Sequence, residues 1–220
     1  LRGFDLIDEI KKVIEIACPA TVSCADIIAL ATRDSVALAG GPSYNVSTGR
    51  RDGLISTVNE VNLPGPEFSI SDALQSFNSK GMTLEEMVTL LGAHTVGFTH
   101  CSFIDSRINN GSFPMDPDLR KKLFEVCGVK GKDPTVFLDQ KTPVVFDNEF
   151  YNQILLRRGV LSIDQNLAVD SISKGVVTSL AANGESFQKK FVDAVVKMGE
   201  IEVLTGGEGE IRKNCRVFNS

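Results

Sequence analysis

The chain has 220 residues, with 28 acidic against 23 basic side chains, a net charge of −5 and a pI near 5.2. That balance argues against a polyanionic partner, and no basic cluster interleaved with aromatics points to nucleic acid. Hydrophobic residues make up 42%, enough for a sizeable core, but the longest apolar runs fall far short of a bilayer, so no membrane span is expected. The length suits one domain over residues 1–220, or two closely packed lobes. The opening Leu1-Arg2-Gly3-Phe4, with no Met and no leader-like segment, reads as a cut end.

Phe4, Ile7, Ile10, Ile14 and Ala17 recur at helical spacing with Asp8, Lys11, Lys12 and Glu15 opposite, and Cys18-Pro19 stops the run. Ser23 with Asp26 three residues later opens a second helix through Leu38, which Gly40-Gly41 ends. Pro42 to Ser69 reads as loop. Within it Gly49-Arg50-Arg51-Asp52-Gly53 is taken by default as a surface ion pair, worth little, and Asn62-Leu63-Pro64-Gly65-Pro66 as a stiff turn.

A short helix from Ser71 to Phe77 precedes another from Met82 to Ala93, whose start is marked by Thr83 and Glu86 in capping-box spacing. Leu84, Met87, Leu90 and Leu91 share one face, and His94, one of two histidines, continues it. By spacing alone, such a histidine is a core side chain whose nitrogens are satisfied by backbone or water. Asp116-Pro117 supplies N-cap and N1 for a helix reaching Cys127. Further helices run from Asp147 to Arg158, Lys174 to Asn183 and Ser186 to Met198. The last carries Phe187, Phe191, Ala194, Val195 and Met198 on one stripe, which reads as core. No alternating run places a strand, and no repeat is visible. The fold class expected is all-α.

Five cysteines cannot all pair, and each choice of orphan leaves three connectivities. The sequons Asn45-Val46-Ser47 and Asn110-Gly111-Ser112 fit an oxidising, glycosylating route, so glycans at Asn45 and Asn110 and a secreted setting are expected. The stretch Asp139 to Asn148 gathers two aspartates, a threonine and free carbonyls, the hard oxygen donors that calcium takes. Its spacing is not that of an EF-hand, and Asp147 suits an N-cap equally well.

Leu91-Gly92-Ala93-His94-Thr95-Val96-Gly97, with Cys101 following, resembles the proximal haem-ligand motif of the secretory plant (class III) peroxidases. Similar matches run from Arg2-Gly3-Phe4 through Ala17-Cys18-Pro19, Thr21 to Asp26, Gly49 to Gly53, Asn62 to Pro66 and Asp139 to Asn148, ending at Arg212-Lys213-Asn214-Cys215. The resemblance implies a haem-peroxidase-like helical fold with haem b between two lobes. It also implies hydrogen peroxide as oxidant, phenolic or aromatic donors, and a place in the cell wall or vacuole.

His94 then corresponds to the axial iron ligand, and Asp164, just before Gln165, to the carboxylate that raises its basicity. Pro64 corresponds to a donor-contact residue, with Phe68 and Phe103 as apolar walls. Calcium falls to Thr95, Asp139, Thr142 and Asp147, with the Val145 carbonyl, and so pins the residue next to His94. The family pairing is Cys24 with Cys215 and Cys101 with Cys127, closing loops worth about 5 and about 3.5 kcal/mol in the chain-entropy model. Cys18 is left over. His100 matches a position near a haem propionate.

The family's distal histidine and arginine, which handle the proton and charge of the breaking O–O bond, lie in an N-terminal stretch with no counterpart here. The resemblance therefore implies the proximal part of a peroxidase plus connecting helices. The alternative is a catalytically incompetent haem- and calcium-binding fragment or wall-associated binding protein. Apolar surface that the further helices would cover is expected to promote association.

Overall fold

A computed structural model describes residues 2–110, 114–129 and 131–219. The chain forms two compact units, one from Leu1–Leu38, Ser43–Val61 and Val196–Ser220, the other from Ala39–Pro42 and Asn62–Val195. Among the described residues, no helix is long and apolar enough to cross a membrane.

The first unit holds α1 (Phe4–Ala17) and α2 (Cys24–Leu38). The buried residue of α1 is polar: Lys11, whose Nζ donates to Glu15 Oε1 and to the Val22 carbonyl, both at 2.6 Å. Phe4, Leu6, Val13 and Ile16 are exposed. The start of α2 is set by Ser23, whose Oγ accepts from Asp26 N. Cys24 is bridged to Cys215, while Cys18 is exposed and unpaired.

Gly49-Arg50-Arg51-Asp52-Gly53 does not form the expected surface ion pair, because its charges turn inward. Arg50 pairs with buried Asp26 at 3.1 Å, and the same carboxylate accepts from Gly49 N. Buried Asp52 accepts from Cys24 N, Ala25 N and Arg212 N at 2.9–3.0 Å, satisfying orphan donors of the first turn of α2. Adjacent charges in sequence point to each other only when no helix terminus competes for them; here one does.

The second unit begins with α3 (Ile70–Ser79), N-capped by Ser69, and α4 (Leu84–Leu91), where Thr83 and Glu86 form the reciprocal capping box. A 3₁₀ turn over Gly92–Thr95 follows. Strand β1 (Phe98–His100) pairs antiparallel with β2 (Thr135–Phe137), Phe98 opposite Phe137 and His100 opposite Thr135. The remaining helices are α5 (Asp105–Asn110), α6 (Pro117–Cys127), α7 (Glu149–Leu155), α8 (Ser162–Val169), α9 (Lys174–Ala182) and α10 (Gly184–Met198). Among the described residues the fold is all-α apart from that small ribbon.

Three corrections to the sequence reading follow from the structure. Strands of three residues are too short to show alternation. Helix α7 is shorter at both ends than Asp147 to Arg158: Asp147 is engaged by Thr95 and Thr142, and Arg157 takes a left-handed φ of 63° that ends the helix. Helix α8 buries Asp164, Gln165 and Asn166, so polar residues interrupt the apolar period that would have marked it.

The core of this unit is aromatic. Phe146 stacks on Phe187 with centroids 5.4 Å apart and meets Phe191 edge-on, while Tyr151 meets Phe187 edge-on. The stripe on α10 is core as far as Val195, but Met198 is 44% exposed. Cys101 is bridged to Cys127. Asn45 lies exposed on a loop of the first unit. The sequon at Asn110 runs into residues 111–113, outside the described residues.

Candidate functional site

The placement of His94 starts with the capped helix α4 and its buried Met87, Val88 and Leu90. At Gly92 the chain tightens into the 3₁₀ turn against the aromatic core. A Cβ there would lie 2.2 Å from Tyr151 Oη and 2.7 Å from the Phe187 ring. Only glycine allows this approach, and His94 follows two residues later.

His94 Nδ1 lies 2.9 Å from Asp164 Oδ1, and the aspartate is 1% exposed. The imidazole is 30% exposed, and among the described residues no protein group takes its Nε2. Burial pulls the imidazole's pKa down, but the charge of Asp164 and its hydrogen bond outweigh that and hold it above the ordinary histidine value. A neutral imidazole that donates Nδ1–H to a carboxylate has a basic Nε2 ready for a metal ion. The chemistry of this pair fits a haem iron.

Asp164 comes from the first turn of α8, which is tied in two places. Ile163 N donates to the Pro66 carbonyl at 3.0 Å, joining α8 to the Pro64–Pro66 turn. Gln165 Nε2 donates to the Ile154 carbonyl at 2.9 Å, and its Oε1 accepts from Gly159 N at 3.1 Å. Pro64 is half-buried and Phe68 and Phe103 are exposed. The Phe68 ring lies over Gly65, and Glu67 accepts from Ser106 Oγ, three residues past Phe103.

The oxygen-rich loop closes on the residue after His94. Buried Thr95 donates through Oγ1 to Asp147 Oδ1 at 3.1 Å and approaches the Val145 carbonyl at 3.4 Å. Thr142 Oγ1 reaches the same Asp147 oxygen at 3.2 Å and Asp139 Oδ2 at 3.4 Å. Burial pushes the Asp139 carboxyl up, backbone donors from Lys141 and Thr142 oppose that, and the charges of Asp147 and Glu149 push it up further. Two carboxylates, two hydroxyls and a carbonyl with excess negative charge fit a hard cation. Among the described residues no three His, Cys, Asp or Glu side chains converge, so such a cation would depend on the hydroxyls and carbonyls as well.

His100 stands apart from this set, with Nδ1 3.0 Å from the Asp133 carbonyl. One functional neighbour escaped the sequence reading. Arg107 is buried and forks onto the Gly159 carbonyl, and nothing in the spacing of Asp105 to Asn110 signals it.

A family model described as peroxidase matches residues 1–183. Peroxidase 44 of Arabidopsis thaliana is 52% identical over 221 residues, covering 100% of this chain and 70% of that protein. Peroxidase 57 of the same plant is 52% identical over 225 residues, covering 100% and 71%. Peroxidase 5 of Vitis vinifera is 43% identical over 230 residues, covering 100% and 70%.

Proposed function

This chain belongs to the plant (class III) peroxidases, and on that premise we propose that it carries the proximal, haem-holding part of a secreted oxidoreductase that uses hydrogen peroxide to oxidise phenolic donors. The observation that carries the reading is the His94–Asp164 pair, one ring nitrogen committed to a buried carboxylate and the other, among the described residues, without a protein partner. Bound haem supplies the redox chemistry: peroxide takes two electrons and two protons to give two waters, and two phenols each give up one electron and one proton.

The chain's own residues hold and orient. His94 would hold the haem iron through Nε2, while Asp164 keeps Nδ1–H engaged, fixing the ring's tautomer and orientation and strengthening its donation. Thr95, Asp139, Thr142, Asp147 and the Val145 carbonyl would hold calcium, and the ion would fix the backbone next to His94. Pro64 receives the donor at the turn that Ile163 ties to α8, with Phe68 and Phe103 offering apolar surface. Glycosylation at Asn45 and Asn110 and the two disulfides suit a protein of the wall or vacuole.

The test is peroxidase turnover per bound haem on oxidatively refolded chain supplied with hemin and calcium, beside His94→Ala. Haem held through His94, with turnover lost in the variant, supports the reading. Equal haem binding by both proteins contradicts it. Haem held through His94 with only background turnover supports a fragment that binds haem without the acid–base groups for O–O cleavage.

A further inference from the structure

We propose that Arg107 is a positioning residue for the Asp164–His94 pair, a buried clasp on the Gly159 turn from which α8 presents Asp164. The proposal rests on the reading of Asp164 as the partner of His94.

Three observations meet at Gly159. Arg107 is 2% exposed, and its Nε and Nη2 both donate to the Gly159 carbonyl, at 3.1 and 2.7 Å. A planar fork closed on one oxygen fixes that peptide in direction as well as distance. The N–H of the same residue donates to Gln165 Oε1, and Gln165 Nε2 returns to the Ile154 carbonyl, so the residue after Asp164 is pinned to the turn. Finally, there is no slack in the packing. A Cβ on Gly159 would lie 3.0 Å from Gln165 N and 3.1 Å from both Gln165 Cα and Ile154 Cγ2. Any shift of the turn therefore passes into the backbone next to Asp164.

Packing alone does not account for an arginine here. Burying a guanidinium is costly unless it is bonded and balanced, and among the described residues Nη1 of Arg107 is buried without a hydrogen-bond partner. Burial pulls the group down to about 10, against the field of Asp164. An aliphatic side chain would fill the space without that cost but could not grip the carbonyl.

The experiment compares Arg107→Met, Arg107→Lys and Gly159→Ala with wild type and with Asp164→Asn. One readout is the His94 Nδ1 proton, observed by nitrogen-15 histidine NMR on the haem-free chain. The other is the ferric/ferrous potential of the haem-loaded chain. A looser Asp164 weakens the hydrogen bond, moves the proton upfield and makes the iron easier to reduce.

Folded Arg107→Met and Gly159→Ala are expected to move both readouts in the same direction as Asp164→Asn and by less, because the link to the ligand runs through one turn. Arg107→Lys, which keeps one donor and the charge, falls closer to wild type. Should Arg107→Met fail to fold, Arg107→Gln and Gly159→Ala carry the same comparison. If Asp164→Asn moves both readouts while the folded Arg107 and Gly159 variants stay at wild type, the clasp is overturned and the role of Asp164 stands. If Asp164→Asn itself moves neither, the underlying reading fails and the clasp with it.

Discussion

Gly92→Ala is the smallest change that tests how the histidine turn is seated. Its new Cβ would meet Tyr151 Oη at 2.2 Å, the Phe187 ring at 2.7 Å and Tyr151 Cζ at 2.8 Å. Both rings belong to the buried aromatic cluster, so neither can retreat into solvent. Overpacking of this kind costs about 1–3 kcal/mol. Displacing the phenol also weakens its hydrogen bonds to the Val88 and Thr89 carbonyls, at 3.1 and 3.3 Å, worth about 1 kcal/mol net. The sum is about 2–4 kcal/mol, which for a chain of this size lowers the melting temperature by roughly 5–15 °C. Thermal melts of Gly92→Ala measure it directly. Repeating the substitution in Tyr151→Phe removes the closest atom but leaves the ring carbon and Phe187, so the penalty should shrink by about 1 kcal/mol without vanishing. A melt within a degree of wild type, or an equal penalty in both backgrounds, refutes the steric account.

Calcium at a hundredfold excess over its dissociation constant should stabilise the chain by about 2.7 kcal/mol, a rise of about 5–10 °C in the melt. Asp139→Asn should abolish the gain, and chelation should reverse it. Replacing Cys101 and Cys127 by alanine should cost up to about 3.5 kcal/mol, read by denaturant titration with the slope checked for an altered unfolded state. Burial holds the Tyr151 phenol well above its ordinary value of 10.0. The unfolded chain releases that proton near 10 and the folded chain keeps it, so stability is full below pH 10 and falls as the pH climbs past it. Tyrosinate absorbance should therefore show Tyr151 ionising only with unfolding, and Tyr151→Phe should flatten the decline.

The legible parts of this chain were those written in local code. Thr83 and Glu86 announce α4 because a cap is satisfied within four residues, and Asp116-Pro117 announces α6 for the same reason. Helix α8 was invisible because Asp164, Gln165 and Asn166 are buried between Ile163 and Leu167 and break the apolar period, and the partners of Asp164 and Gln165 lie outside the helix. Asp52 read as a surface charge and Asp26 only as part of a helix start, but the first turn of α2 needs the one and the Gly49–Arg50 backbone needs the other. His94 and Asp164 are 70 positions apart, and spacing alone gave no reason to join them; the family motif did. Arg107 had neither a local pattern nor a motif, since its partner is a backbone carbonyl on a distant turn.

The most direct test of the central claim is the iron–histidine stretching band of the ferrous haem complex, recorded by resonance Raman on wild type, Asp164→Asn and His94→Ala. The account predicts the band in wild type, its displacement to lower frequency in Asp164→Asn as the imidazole loses its charged partner, and its loss in His94→Ala. A band that survives His94→Ala, or one that Asp164→Asn leaves unmoved, would contradict it.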